Sequence, residues 1–374
     1  MVKRVLVTGA ANIGKAGVAT IVYKWGQQFD KEKVVYDYLM QRGLPEKCYQ
    51  RAIAEKGGKI FTMHEAGGFL SIIKWVSKVV KENTYKTIHI NADSAYIAAA
   101  YIYAAKKGGI ENIYVHSHCT QIDDNRKIIR FAKYIAHQLC IPYVKRNTAK
   151  YLACSKVAGQ WMFGNISSGK KEYKTIYNGV EADRYYYDRD VRERKRKELG
   201  VGENYVIGNI GRLSFQKNQM YLVEMFKSFH DLHPRSVLLI VGDGELKSEL
   251  QAQIKSLGLE EAVMLLGQRN DVTELLSAFD VLVMPSRFEG LPVTMVEAQM
   301  ASLPCVVSSN ITKEAKFTDN VVFVDGWNKR DWIDSIEEIM DSSRPYHKET
   351  LNESIFNAPN ASMELQSIFL ETGE

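Results

Sequence analysis

Along this chain, short runs rich in β-branched residues alternate with stretches of helical periodicity. Strands are expected over residues 3–8, 33–38, 59–61, 87–91 and 112–116, and helices over 18–25, 69–80 and around 96–106. Alternation of this kind implies a parallel sheet with helices on both faces, because each parallel strand needs a crossover and a helix supplies it. The pattern resumes with strands over residues 205–211, 237–242, 263–267, 281–284 and 304–308 and a helix over 332–340. At about 150 residues per domain, a chain of 374 residues has room for two or three domains.

The stretch densest in chemistry follows Val281-Leu-Val-Met284, a buried-strand pattern ended by Pro285. Val293, Val296, Ala298 and Met300 then fit a helix, so residues 286–292 form a strand-to-helix loop. Such a loop at the carboxyl end of a buried strand binds anionic ligands, because unpaired helix N–H groups point outward there. Pro292 suits the first helical turn, where its missing N–H costs nothing. Glu289 lies in the loop and Glu297 in the second helical turn, several ångströms apart at about 1.5 Å rise per residue. Two carboxylates at that separation can hold hydroxyls at the ends of an elongated polyol, with loop amides holding a phosphate between them.

The run PSRFEGLPVTMVEAQMASLPCVVS resembles the signature of the retaining glycosyltransferases of family 4, most closely the bacterial capsular and exopolysaccharide branch. The resemblance covers nearly the whole chain and is firmest after residue 205. It implies an α/β chain of the GT-B type: two doubly wound Rossmann-like domains facing across a cleft. Residues 1–175 would form the acceptor-side domain, residues 176–354 the donor-binding domain, and a helix within 355–374 would return to the first. The segment Lys174-Thr-Ile-Tyr-Asn178-Gly179-Val180 resembles the link between the two.

The same resemblance implies site residues. Glu297 would hold the ribose hydroxyls and Glu289 those of the donor sugar. The amides of Gly290 and Leu291 would hold a phosphate or the sugar, with Val293 beside them. Residues 268–272, including Arg269 and Asn270, resemble the segment against the nucleotide base. Arg212 and Lys217 match the family's arginine and lysine five apart. Physical chemistry agrees, since a departing nucleoside diphosphate gains negative charge that two cations on a strand-end loop neutralise without a metal. His116 first, and His118 second, match the family's histidine near the donor sugar, and a loop at a strand's carboxyl end is where such a side chain meets ligand. Gly17 falls in a segment, residues 14–20, that approximates the family's first glycine loop, with Ala19 where a glutamate is common. The implied reaction moves a hexose or N-acetylhexosamine from a UDP-sugar to a lipid-linked saccharide with retention, by front-face attack in which the leaving phosphate accepts the acceptor's proton. No metal or other cofactor is expected.

Other readings compete at particular motifs. Gly9 to Lys15 fits G-x4-G-K, but Ala16 stands where a phosphate-binding P-loop needs Ser or Thr for magnesium. Thr8-Gly9-Ala-Ala-Asn also resembles the short-chain dehydrogenases, yet the later glycines of a dinucleotide fingerprint fall out of register. Asp188-Arg189-Asp190 has a metal-binding D-x-D form but lies in a highly charged helical run and reads as solvated surface. A catalytically inert partner subunit of a polysaccharide transferase is a further alternative.

Charge is segregated. Residues 1–175 carry 28 Lys and Arg against 12 Asp and Glu, whereas the remainder carries 21 against 32. A basic half meets an anionic surface. Nucleic acid and anionic lipid both fit that description, and two basic amphipathic helices favour lipid: Lys74 and Lys78 flank Phe69, Ile72, Ile73, Trp75 and Val76, and Lys127, Arg130 and Lys133 lie beside Ile128, Ile129, Phe131 and Ile135. No apolar run approaches the roughly 18 residues of a membrane span, and the start lacks the apolar length of a signal peptide. A cytoplasmic protein, peripheral on the inner face of the membrane, is expected. Five scattered cysteines argue for reduced thiols. Donor sugar, linkage and oligomeric state have no signature in the sequence.

Overall fold

Both sheets of the protein are wholly parallel, and they share one strand order. The structure is a computed structural model that describes residues 2–11, 13–14, 17–41, 43–63, 69–164, 172–340, 344 and 355–371. It divides into two compact units. Unit one comprises residues 1–122, 126–179 and 355–374, and unit two residues 123–125 and 180–354.

Unit one runs β1 (Lys3–Val7), α1 (Gly17–Gln28), β2 (Val34–Met40), α2 (Lys47–Glu55), β3 (Ile60–Thr62), α3 (Phe69–Asn83), β4 (Thr87–Ala92), α4 (Ala95–Gly108), β5 (Asn112–Ser117), α5 (Lys127–Asn147), β6 (Lys150–Ala153), α6 (Lys156–Phe163) and β7 (Tyr173–Thr175). Its sheet order is β3-β2-β1-β4-β5-β6-β7. Every residue of β2 and β4 is buried, as strands covered on both faces must be. Alanines at positions 95, 98, 104 and 105 let α4 lie close to the sheet and its neighbours, and Ile73, Val76 and Val80 of α3 pack into the same core.

The burial of β2 includes Asp37, whose carboxylate is fully enclosed. Arg4 donates to it from Nε at 2.8 Å and Nη2 at 2.6 Å, the Tyr85 hydroxyl at 2.6 Å and the Lys59 amide at 2.6 Å. A buried charge is tolerated only when so fully partnered.

Unit two runs α7 (Arg189–Leu199), β8 (Tyr205–Ile210), α8 (Gln219–Leu232), β9 (Ser236–Val241), α9 (Lys247–Ser256), β10 (Val263–Gly267), α10 (Val272–Ala278), β11 (Val281–Met284), α11 (Val293–Met300), β12 (Cys305–Ser308), β13 (Val321–Val324) and α12 (Lys329–Ile339). Its order, β10-β9-β8-β11-β12-β13, repeats the first six strands of unit one. Asp280, just before β11, ties α7 to the sheet by accepting from Arg192 at 2.5 Å, Arg196 at 3.2 Å and the Val206 amide at 2.7 Å.

The final helix, α13 (Ala358–Glu371), belongs to unit one and packs on α1. Its Phe369 ring meets Phe29, Tyr36, His89 and Tyr114 edge-on at centroid distances of 5.4–6.1 Å. Ser362 donates to Gln28 at 2.9 Å.

The doubly wound α/β expectation agrees with this architecture. One detail of α3 differs: Ile73 and Val76 are core residues, and of its apolar side chains only Phe69 and Leu70, at its start, are exposed. Most of the stripe that the sequence offers to a membrane there packs into the core of unit one instead.

Candidate active site

In doubly wound sheets, ligands sit outside the carboxyl ends of strands where the winding reverses. In unit two that point lies between β8 and β11, which are paired neighbours. Two loops emerge there, residues 211–218 after β8 and 285–292 after β11.

The loops are stitched together. The Arg287 amide donates to the Gln216 carbonyl at 2.8 Å, and Gln216 Nε2 donates back to the Phe288 carbonyl at 3.0 Å. Arg287 donates to Asn218 Oδ1 at 2.7 Å and lies 4.6 Å over the Phe215 ring. Asn218 adopts φ +59°, a left-handed turn that asparagine tolerates, to enter α8.

Lys217 and Glu289 are therefore in direct contact. Lys217 Nζ lies 2.6 Å from Glu289 Oε1, and Gln216 Nε2 donates to Oε2 at 3.0 Å. The two charged side chains are 17% and 7% exposed, so their attraction is screened far less than on an open surface. Arg212 starts from the same loop but points elsewhere: it is 67% exposed and pairs with Glu245 at 2.9 Å.

Glu297, on α11, accepts a 2.6 Å hydrogen bond from the Tyr185 hydroxyl. Tyr185 follows a 3-10 turn, Ala182–Arg184, and is buried. Burial first, and the Glu297 charge second, push its pKa well above the usual phenol value, so the hydroxyl stays a donor. Gly290 and Leu291 are buried in the turn between the glutamates, and Val293 opens α11 half-buried.

Arg269 and Asn270 lie after β10. Asn270 is exposed, whereas Arg269 is turned toward α7, donating to Asp271 at 2.6 and 2.8 Å and to Glu198 at 3.2 Å. These Arg269 hydrogen bonds hold the Asp271 carboxyl well below its usual range.

The candidates in unit one have different surroundings. His116 lies inside β5, one residue before its end, and is fully buried instead of facing a ligand from the loop beyond. It is stacked on Trp25 at 5.1 Å and on His118 at 4.4 Å. Its Nδ1 lies 3.3 Å from Nε2 of His89, whose Nδ1 meets the Tyr36 hydroxyl at 2.7 Å. His118, just past the strand, is 6% exposed and bonds Asn91 Oδ1 through Nε2 at 2.8 Å. Its buried Nδ1 finds no hydrogen-bond partner among the described residues. Burial lowers the pKa of all three histidines, to about 3 for His89 and His118.

Gly17 opens α1 with open space where a side chain would stand. The need for glycine falls earlier, at Gly9, where φ is +83° and a Cβ would come within 2.6 Å of Asn91. Lys15 and Ala16, which decide the P-loop question, lie outside the described residues. Asp188 caps α7, accepting from the Val191 amide at 2.9 Å, and Asp190 is exposed.

The family of Glycosyl transferases group 1 matches residues 191–355, a span that holds both stitched loops. Residues 191–355 form a group 1 glycosyltransferase domain. Over 316 residues the glycosyltransferase is 28% identical to the putative glycosyltransferase EpsF of Bacillus subtilis, covering 81% of this chain and 79% of that one. It is 29% identical over 236 residues to the UDP-Gal:alpha-D-GlcNAc-diphosphoundecaprenol alpha-1,3-galactosyltransferase of Escherichia coli, covering 62% and 60%. Among solved structures, Anabaena HepE in complex with UDP and glucose superposes with a TM-score of 0.73 at 20% identity, covering 99% of each chain. Sucrose-phosphate synthase of Thermosynechococcus elongatus superposes with 0.78 at 12% identity, covering 99% and 98%. These likenesses establish the GT-B fold.

Two partners of the glycosyltransferase's candidate residues escape the sequence reading. Tyr185 has no motif and meets Glu297 from 112 positions away. Gln216 lies between Arg212 and Lys217, but only the stitched loops reveal that it holds Glu289.

Proposed function

We propose that this hexosyltransferase moves a hexose or N-acetylhexosamine from a UDP-sugar to a lipid-linked saccharide, with retention, in capsular or exopolysaccharide biosynthesis. The observation that carries the reading is the contact of Lys217 with Glu289 at the winding reversal of unit two, beside a second carboxylate held by Tyr185. A sugar nucleotide presents what these groups recognise, namely ribose hydroxyls for Glu297, an anionic diphosphate for Lys217 and Arg212, and sugar hydroxyls for Glu289. The amides of Gly290 and Leu291, with Val293 beside them, line the turn between. His116 and His118 are the candidates that unit one offers for the sugar, and each carries a buried ring nitrogen, Nε2 and Nδ1 respectively, with no hydrogen-bond partner among the described residues.

In the proposed reaction, the bond from the anomeric carbon to the diphosphate breaks and the acceptor oxygen bonds that carbon from the same face. The leaving phosphate oxygen takes the acceptor's proton. Cations placed in advance at the leaving diphosphate lower the barrier, each typically by about 3–4 kcal/mol. The named activity of the E. coli relative, with its diphosphoundecaprenol-linked acceptor, supports a lipid-linked acceptor here.

No helix among the described residues is long and apolar enough to cross a membrane. A lipid acceptor then calls for surface contact, and α5 suits it. Of its 21 residues only His137 and Val144 are buried, and Ile128, Phe131 and Leu139 are 85%, 66% and 75% exposed beside Lys127, Arg130 and Lys133. Exposed apolar groups among lysines and arginines match an anionic leaflet.

The test incubates the purified enzyme with radiolabelled UDP-glucose, UDP-galactose or UDP-N-acetylglucosamine and membrane extract. Label from at least one donor should pass into organic-extractable lipid, and Arg212→Ala or Lys217→Ala should cut that rate about 100-fold or more. Transfer from none of them, or near-normal rates in both variants, overturns the reading.

A further inference from the structure

The contact between Lys217 and Glu289 links two halves of the proposed donor site, and this inference rests on that functional reading. Both oxygens of the Glu289 carboxylate are engaged, by Lys217 at 2.6 Å and Gln216 at 3.0 Å. Lys217 is the cation meant for the diphosphate, and Glu289 the acceptor meant for the sugar. One ammonium is thus claimed by two anions.

We propose that Glu289 competes with the diphosphate for Lys217 unless sugar hydroxyls occupy the carboxylate, so that the site holds an intact sugar nucleotide in preference to the released nucleoside diphosphate. The competition follows from burial. Glu289 is 7% exposed, and a nearly buried carboxylate deprived of its cation is costly. Bare UDP drawing Lys217 toward its phosphates takes that positive charge away from the Glu289 carboxylate, which the neutral Gln216 amide does not replace. An intact donor offers hydroxyl donors in Lys217's place, and the cation is released at little cost.

After transfer the sugar leaves with the acceptor and Glu289 recovers Lys217. The grip on UDP loosens at the step where product must depart. Gln216 is fixed to the Phe288 carbonyl as well as to Glu289, which keeps the carboxylate in place while its partner changes.

Isothermal titration with UDP, and competition by UDP-glucose, UDP-galactose and UDP-N-acetylglucosamine, tests this on wild type, Glu289→Gln, Glu289→Ala and the double variant Lys217→Ala/Glu289→Gln. Wild type should bind UDP, and at least one UDP-sugar more tightly than UDP. Glu289→Gln frees Lys217 and should bind UDP about 3- to 10-fold more tightly, in the range of coupling between contacting charged residues. Glu289→Ala should do the same, and the gain should vanish in the double variant. UDP binding unchanged or weakened in the folded Glu289 variants overturns the competition and leaves the functional reading standing. UDP outcompeting every sugar nucleotide on wild type overturns it without any variant. Failure of wild type to bind UDP at all overturns the functional reading, and the competition with it.

Discussion

Replacing Tyr185 by phenylalanine removes one oxygen and leaves the ring packing intact. That oxygen donates a 2.6 Å hydrogen bond to the carboxylate of Glu297. Hydrogen bonds to charged groups contribute about 1.5–3 kcal/mol. Glu297 is half-buried, so water replaces part of the loss, and about 1–1.5 kcal/mol remains. At 1.4 kcal/mol per factor of ten, nucleotide affinity should fall about 5- to 10-fold. The loss should follow the ribose: titration with UDP, 2′-deoxy-UDP and 3′-deoxy-UDP should show Tyr185→Phe weakening UDP most, narrowing the gap between UDP and the deoxy ligands. The melting temperature should stay within about 4 °C, since a larger shift signals a stability loss beyond about 1 kcal/mol. Unchanged UDP affinity, or equal weakening of all three ligands with a lowered melting temperature, would refute the positioning role.

Three further outcomes are expected. Asp37→Asn breaks a buried, fully partnered charge network and should destabilise unit one by about 3–5 kcal/mol in denaturant titration; a loss under 1 kcal/mol would contradict the described network. His89, His116, His118 and His137 of unit one are held neutral chiefly by burial, with pKa about 3 for His89 and His118 and about 4 for His137. Because the unfolded chain takes up these protons near pH 6.5, stability is complete above that pH. It should fall as pH drops toward 4, by up to about 1.4 kcal/mol per unit for each histidine; a flat urea midpoint for unit one from pH 7 to 5 would exclude this. Finally, Phe131→Ser/Leu139→Ser removes two exposed apolar groups of α5 and should reduce cosedimentation with phosphatidylglycerol-rich vesicles about tenfold or more, at about 1.5–3 kcal/mol per buried side chain. Equal sedimentation of variant and wild type would remove α5 from the membrane proposal.

The sequence makes the sheets legible because strands covered on both faces are near-continuous apolar runs: residues 281–284 are expected and observed as β11, buried throughout, and the half-buried edge strand β10 also keeps its expected bounds, 263–267. The loop after β11 and the helix over 293–300 are equally plain, since Pro285 and Pro292 punctuate them. Periodicity marks an amphipathic helix without saying what its apolar face meets, which is why α3 and α5 look alike in sequence while only α5 leaves that face exposed. Side-chain pairings are the least legible. Nothing local in the sequence distinguishes a lysine aimed at a ligand from one resting on Glu289, or shows that Tyr185 reaches Glu297.

The return of α13 to α1 carries a consequence for synthesis. Unit one is assembled from residues 1–122, 126–179 and 355–374, with Phe369 closing over Phe29, just past α1, and rings from β2, β4 and β5. On the ribosome, unit two can therefore finish folding while its predecessor still waits, aromatic surface uncovered, for residues 358–371 to emerge. A truncation that removes Phe369 would leave those rings uncovered however completely unit two had folded.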